Sequence, residues 1–158
     1  MMNRLITPEQ VIQSAFGEAE YLSAQAVSDA DIVAATSRYI APILGDELVQ
    51  RLVDGHYAEL LEEYVAPALA AAVRYMVQPL INLRTGDSGL VAPKGEYFAA
   101  PSKQATAELQ QRLKCRMREL LRRLSDHLNG NSKSYAEYNY ECNILNRCST
   151  DGGVVQIF

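Results

Sequence analysis

Apolar residues recur along this chain at steps of three and four, the spacing that lines one face of an α-helix. In the opening stretch Val11, Ile12, Ala15 and Phe16 share such a face. Thr7 ahead of them is an N-cap candidate, Pro8 takes the first helical position and Gln10 completes a capping box, while Gly17 can end the helix. A second start lies at Ser28, with Asp31 three residues on and a stripe of Ile32, Ala35, Tyr39 and Ile40. Pro42 is expected to bend or end it. Gly45 and Asp46 restart a short helix with Leu48, Leu52 and Val53 inward, closed at Gly55. From about Tyr57 to Leu83 a long pattern carries Leu60, Leu61, Tyr64, Leu69, Val73, Met76 and Leu80. Pro67 and Pro79 each remove a backbone donor, which predicts a break or kink near both. The run from Ala68 to Ala72 is rich in small residues and would let another helix approach closely, so this is expected to be the central core helix.

The helical period then stops. Residues 85–101, TGDSGLVAPKGEYFAAP, form a Gly/Pro-rich loop with turn signals at Gly86-Asp87 and Lys94-Gly95 that suggest a hairpin. Loops of this length inside compact domains tend to be functional, which makes Lys94, Tyr97 and Phe98 candidate interaction residues. The last helix starts near Ser102 and runs to about Leu128, with a stripe of Leu109, Leu113, Met117, Leu120, Leu121, Leu124 and Leu128, and Gly130 closes it. A tail follows, with Tyr135, Tyr138 and Tyr140 close together and a β-prone end, Val154-Val155-Gln156-Ile157-Phe158, after the turn Asp151-Gly152-Gly153. An apolar end favours docking, so Val154, Ile157 and Phe158 join the candidate interaction residues. The expected fold is all-α: a compact bundle of about four to five helices with a long loop and an extended C-terminal tail. Residues 1–130 form the helical domain and 131–158 the arm.

Bulk properties narrow the setting. A chain of 158 residues, 48% hydrophobic and 22% charged, can bury one core and does not read as disordered. No stretch is expected to span a membrane, and the first residues lack the apolar core of a signal peptide, so a cytoplasmic protein is expected. Cys115, Cys142 and Cys148 are an odd number and read as free thiols in a reducing compartment. Charge is unevenly placed: residues 1–64 hold eleven acids and three bases (net −8), residues 65–158 eight acids and twelve bases (net +4). Such asymmetry suits head-to-tail contacts between subunits, or opposite faces that meet within one fold.

Residues that could carry chemistry are sparse. His56 lies near Asp54 and His127 beside Asp126, but both pairs diverge on a helix and no third partner is evident, so no catalytic residue is assigned. Cys142 and Cys148 are too widely spaced for a structural zinc site, and no metal ligand or cofactor is assigned. Neighbouring Glu62 and Glu63 read as a solvated helix face. No phosphate-binding glycine loop and no nucleophile elbow is present. The basic stretch 112–123 holds six bases against one acid, Glu119. It raises a nucleic-acid reading in which Arg112, Arg116, Arg122 and Arg123 meet phosphates, although the bases spread around the helix rather than forming one reading face.

Four phrases give a further lead: LITPEQVIQSAFG, YIAPILGDELVQRL, EEYVAPALAAAVRYMVQPLIN, and the terminal ILNRCSTDGGVVQIF. With the helix order between them, they resemble small prophage proteins similar to the head–tail connector, or head-completion, proteins of tailed bacteriophages. The resemblance covers nearly the whole chain and brings no catalytic residues. It implies a non-enzymatic adaptor subunit that assembles as a ring of about twelve copies beneath the portal protein, offers a platform to stopper or tail proteins, and lets DNA pass without specific binding. It implies host cytoplasm during assembly and the head–tail junction in the virion, with no membrane partner. The alternative is a small helical DNA-binding or packaging-associated module using residues 112–123.

Overall fold

A computed structural model describes residues 4–17, 24–81, 84–86, 89–91 and 102–147. The fold is all-α, with five helices among these residues. Helix α1 is Pro8–Ala15. Helix α2 is residues 29–44 in three consecutive pieces, Asp29–Ala35, Thr36–Ile40 and Ala41–Leu44. Helix α3 is Asp46–Val53, α4 is Ala58–Ile81 and α5 is Lys103–Gly130. A two-stranded hairpin pairs Arg84–Gly86 with Gly89–Val91; it starts one residue before the stretch 85–101, whose turn signals suggest a hairpin. The remainder of that loop, including Lys94, Tyr97 and Phe98, lies outside the described residues, as do Val154, Ile157 and Phe158.

The starts of α1 and α2 are built by the expected capping boxes. Thr7 Oγ1 accepts from the Gln10 amide at 3.3 Å while Gln10 Oε1 accepts from the Thr7 amide at 2.8 Å. Ser28 and Asp31 repeat the exchange at 3.2 and 3.0 Å. Each box satisfies two donors that a helix start otherwise leaves without partners. Between α2 and α3 the chain turns at Gly45, whose φ of +82° is open to glycine and strained for other residues.

Helix α4 is the core. It packs against α5, α1 and α2, and every residue from Ala68 to Arg74 is buried. Alanine at 68, 70, 71 and 72 keeps the neighbours close, while Leu69 and Val73, both 0% exposed, supply bulk. Arg74 is buried beside α1: its guanidinium donates to the Ala15 carbonyl and lies 4.4 Å from the Phe16 ring centre. This cation–π contact ties the end of α1 to the core helix. Among the described residues α4 alone is long and apolar enough to cross a membrane, which the sequence reading did not anticipate. Over half of its most apolar window is buried within the bundle, the pattern of a central core helix.

The prolines disturb their helices without ending them. Neither Pro42 nor Pro67 breaks its helix. Each follows a five-residue π turn, Thr36–Ile40 in α2 and Leu61–Val65 in α4. The residue just before each proline donates five residues back, Ala41 to Thr36 and Ala66 to Leu61. The wider turn relieves the clash that a proline ring makes with the carbonyl four residues earlier, so the helix continues. It also resets the helix phase. Ala35 and Ile40 are both buried, as are Leu60 and Val65, at a step of five rather than four. Pro79 sits in the last turn of α4, where little helix remains to interrupt.

The chain after α5 comes back to the bundle. Residues 131–147, read from the sequence as the start of an arm, dock along α5 and place Tyr138 in the core. Asn143 is 0% exposed. Its amide donates to Ser125 Oγ at 2.8 Å and to the Tyr138 hydroxyl at 2.7 Å, and its Oδ1 accepts from the Leu145 amide at 2.9 Å. The Tyr138 hydroxyl in turn donates to Asn129 Oδ1 at 2.6 Å. Buried polar groups need such partners, which a sequence pattern of apolar positions does not reveal.

A second anchor lies where α3, α4 and this returning segment meet. Tyr57 has φ +56°, an uncommon left-handed conformation for a large side chain, at the entry to α4. Its hydroxyl donates to Glu137 at 2.9 Å, and Arg51 bridges the same carboxylate at 2.9 Å. Glu137 is held below the usual carboxylate range by its own backbone N–H, then by the Tyr57 hydroxyl and the Arg51 guanidinium. A carboxyl whose pKa is lowered by folding stabilises above its unfolded pKa, and loses that contribution as pH falls through the folded value. The urea midpoint of the protein is therefore expected to drop on acidification through the range below about pH 5, and Glu137→Gln should remove part of that drop. An identical pH profile for the variant would refute the assignment.

Candidate functional site

The four arginines singled out on α5, Arg112, Arg116, Arg122 and Arg123, are all exposed. They do not form one face. Arg112, Arg116 and Arg123 fall at steps of four and seven and share one edge of the helix. That edge meets α4: Arg123 lies over the Tyr64 ring at 4.9 Å and reaches Glu63 at 3.4 Å. Here an acid of the acidic half meets a base of the basic half, in an exposed pair worth little to stability. Beside it His127 stacks on Tyr64 with ring centres 3.9 Å apart, and its Nε2 is 2.9 Å from the Tyr135 hydroxyl. These contacts give His127 a packing role at the end of α5.

Lys114, Arg118 and Arg122 follow the other edge, at successive steps of four. There α5 faces α2 across a cleft of about 370 Å³. From α5 it receives Lys114, Met117 and Arg118, and from α2 Arg38, Tyr39 and Ile43. Tyr75 of α4 contributes to the lining. Ile144 and Leu145 also line it, and they keep 43% and 38% of their surface exposed. Burial raises the Tyr39 hydroxyl above its ordinary pKa, against the opposing pull of neighbouring Arg38. The cleft was not foreseen because it needs three helices and the returning segment together. Lys114 and Arg118 belong to the basic run already noted, but Arg38 is an isolated cation within an acidic half.

The groups that line this site are cations, phenols, aliphatic carbons and the Met117 thioether. Among the described residues no three His, Cys, Asp or Glu side chains gather as metal ligands. Cys115 and Cys142 are free and exposed, and Cys148 lies outside the described residues.

No curated protein and no solved structure shows significant similarity to the chain. A family model does match, over residues 35–147, which takes in α2 from Ala35 onward, α3 to α5 and the returning segment that builds the cleft. The chain therefore belongs to the family of unknown function DUF6712.

Proposed function

We propose that this chain is a structural adaptor subunit of a tailed-phage head–tail connector, assembling as a ring of about twelve copies under the portal protein. Its partners would be its own copies, the portal, and stopper or tail proteins, with DNA passing through the channel unread. It would assemble in the host cytoplasm and act at the head–tail junction of the virion. The observation that carries this reading is a pair of exposed surfaces of opposite sign. Residues 46–63 expose six acids, Asp46, Glu47, Asp54, Glu59, Glu62 and Glu63, against one base, Arg51. On α5 the exposed Arg112, Arg116 and Arg122, spread over both edges of the helix, make no ion pair among the described residues. Surfaces that differ and complement each other favour heterologous contacts, which close into rings. The resemblance in the four phrases supplies the phage setting.

Those same α5 cations keep a DNA-binding or packaging-associated module as the second reading. It would require retention on DNA that fades with salt and is lost in Arg122→Glu/Arg123→Glu. The deciding measurement is solution mass by light scattering across a wide concentration range. A closed oligomer of roughly ten to fourteen copies is expected, because cyclic contacts stop at a fixed number. A tight two-fold dimer that excludes larger assemblies would overturn the ring.

A further inference from the structure

We propose that the cleft between α2 and α5 receives an acidic segment of a partner protein, anchored by large apolar side chains. The chain as a whole carries nineteen acids and fifteen bases, yet the wall of this cleft has three bases and no acid. A segregation of this kind specifies the sign of what binds. Beneath the cations lies an apolar floor of Ile43, Met117 and Leu121, all buried, and at the lip Ile144 and Leu145 leave aliphatic surface in water. Charge at the rim and carbon at the base match an anchor residue flanked by carboxylates. The volume of about 370 Å³ lies at the low end of the range for small-ligand pockets, ~300–1,000 Å³, and suits inserted side chains better than a folded surface.

The cations divide the work. Arg118 is already engaged within the chain. Lys114 is half-buried and Arg38 exposed, the latter stacked 5.5 Å from the Tyr39 ring centre. A planar guanidinium held against a ring loses less freedom on meeting a carboxylate than a free one does. The segment would enter with its apolar side chains between Tyr39 and Met117 and its acids toward Arg38 and Lys114. This extends the adaptor reading by specifying a partner contact, and it stands whether or not a ring closes.

The test is selection from a random dodecapeptide library on the purified full chain. Selected peptides should combine Asp or Glu with Leu, Phe or Tyr. The best of them, labelled and measured by fluorescence anisotropy at low salt, should bind Arg38→Glu/Lys114→Glu about tenfold more weakly, and Leu145→Asp should also weaken it. Both charged positions are solvent-accessible, so an unchanged far-ultraviolet circular dichroism spectrum and urea midpoint are expected for the double variant and show that folding is not the cause. Selection of acid-free peptides, of peptides indifferent to these substitutions, or of none, overturns the proposal. If instead Arg38→Glu/Lys114→Glu dissolves a self-assembly seen by light scattering, the occupant is a second copy and the assignment to a partner protein falls. Loss of the ring alone, with peptide binding intact, refutes the connector assembly and leaves the cleft assignment standing.

Discussion

Replacing Leu69 with alanine is expected to destabilise the folded protein by about 2–5 kcal/mol. Leu69 is 0% exposed near the middle of α4, the helix that touches α1, α2 and α5. On its own face of the helix stand Val65, Ala66, Ala72 and Val73, short or β-branched side chains that cannot swing in to fill the space. The lost contacts are therefore not replaced, and a cavity term adds to the transfer term. Domains of this size hold about 5–15 kcal/mol in total, so one truncation removes a large share. Melting should fall by roughly 2–4 °C for each kcal/mol lost. Urea unfolding checks the estimate: the midpoint should move while the slope stays constant. A shift smaller than that of a surface substitution would mean that α4 is not the core.

The second large effect is expected at Asn143. Asn143→Ala removes an amide that two hydroxyls and one backbone N–H depend on. Buried groups left without partners cost about 1–3 kcal/mol each, and Tyr138 retains its bond to Asn129, so the total should be about 2–4 kcal/mol. The loss should begin locally. The returning segment is held by this network, by the Asn129–Asn146 amide pair and by the Glu137 contacts. Limited proteolysis should therefore cut between residues 131 and 147 faster in the variant, before global unfolding. Equal cutting rates in both proteins would show that the segment is fastened elsewhere.

Much of this architecture is legible in the sequence, for identifiable reasons. Thr7 and Ser28 announce their helices because a capping box is a local device, complete within four residues. The stripe of α5 is regular, and Leu113, Met117, Leu121, Leu124 and Leu128 are buried as the period requires. Pro42 and Pro67 announce a disturbance but not its form: a proline ends a helix that keeps a step of four, while the chain here takes one of five. Asn143 is unreadable for another reason: a buried amide has no periodic signature, and its partners stand up to eighteen residues away. The cleft is harder still, since Arg38 acquires meaning only when α2 is laid beside α5. The arginines of α5 were visible individually, but their division between two edges follows from which neighbours α4 and α2 supply.

The two π turns have a consequence for how rigidly these helices hold their rotation. A turn with one extra residue is a dislocation in the hydrogen-bond ladder, and such a defect can in principle migrate along a helix by exchanging one bond for the next. Here the same arrangement occurs twice: a buried residue, another five positions on, and a proline two beyond that, as Ala35, Ile40 and Pro42, and again as Leu60, Val65 and Pro67. Proline has no N–H to hand on, so the dislocation is pinned from its C-terminal side. Pinning fixes the angular offset between the two halves of each helix. In α2 it locks Tyr39, within the turn, relative to Ile43, beyond it, and so sets the mouth of the cleft by covalent structure as well as by packing.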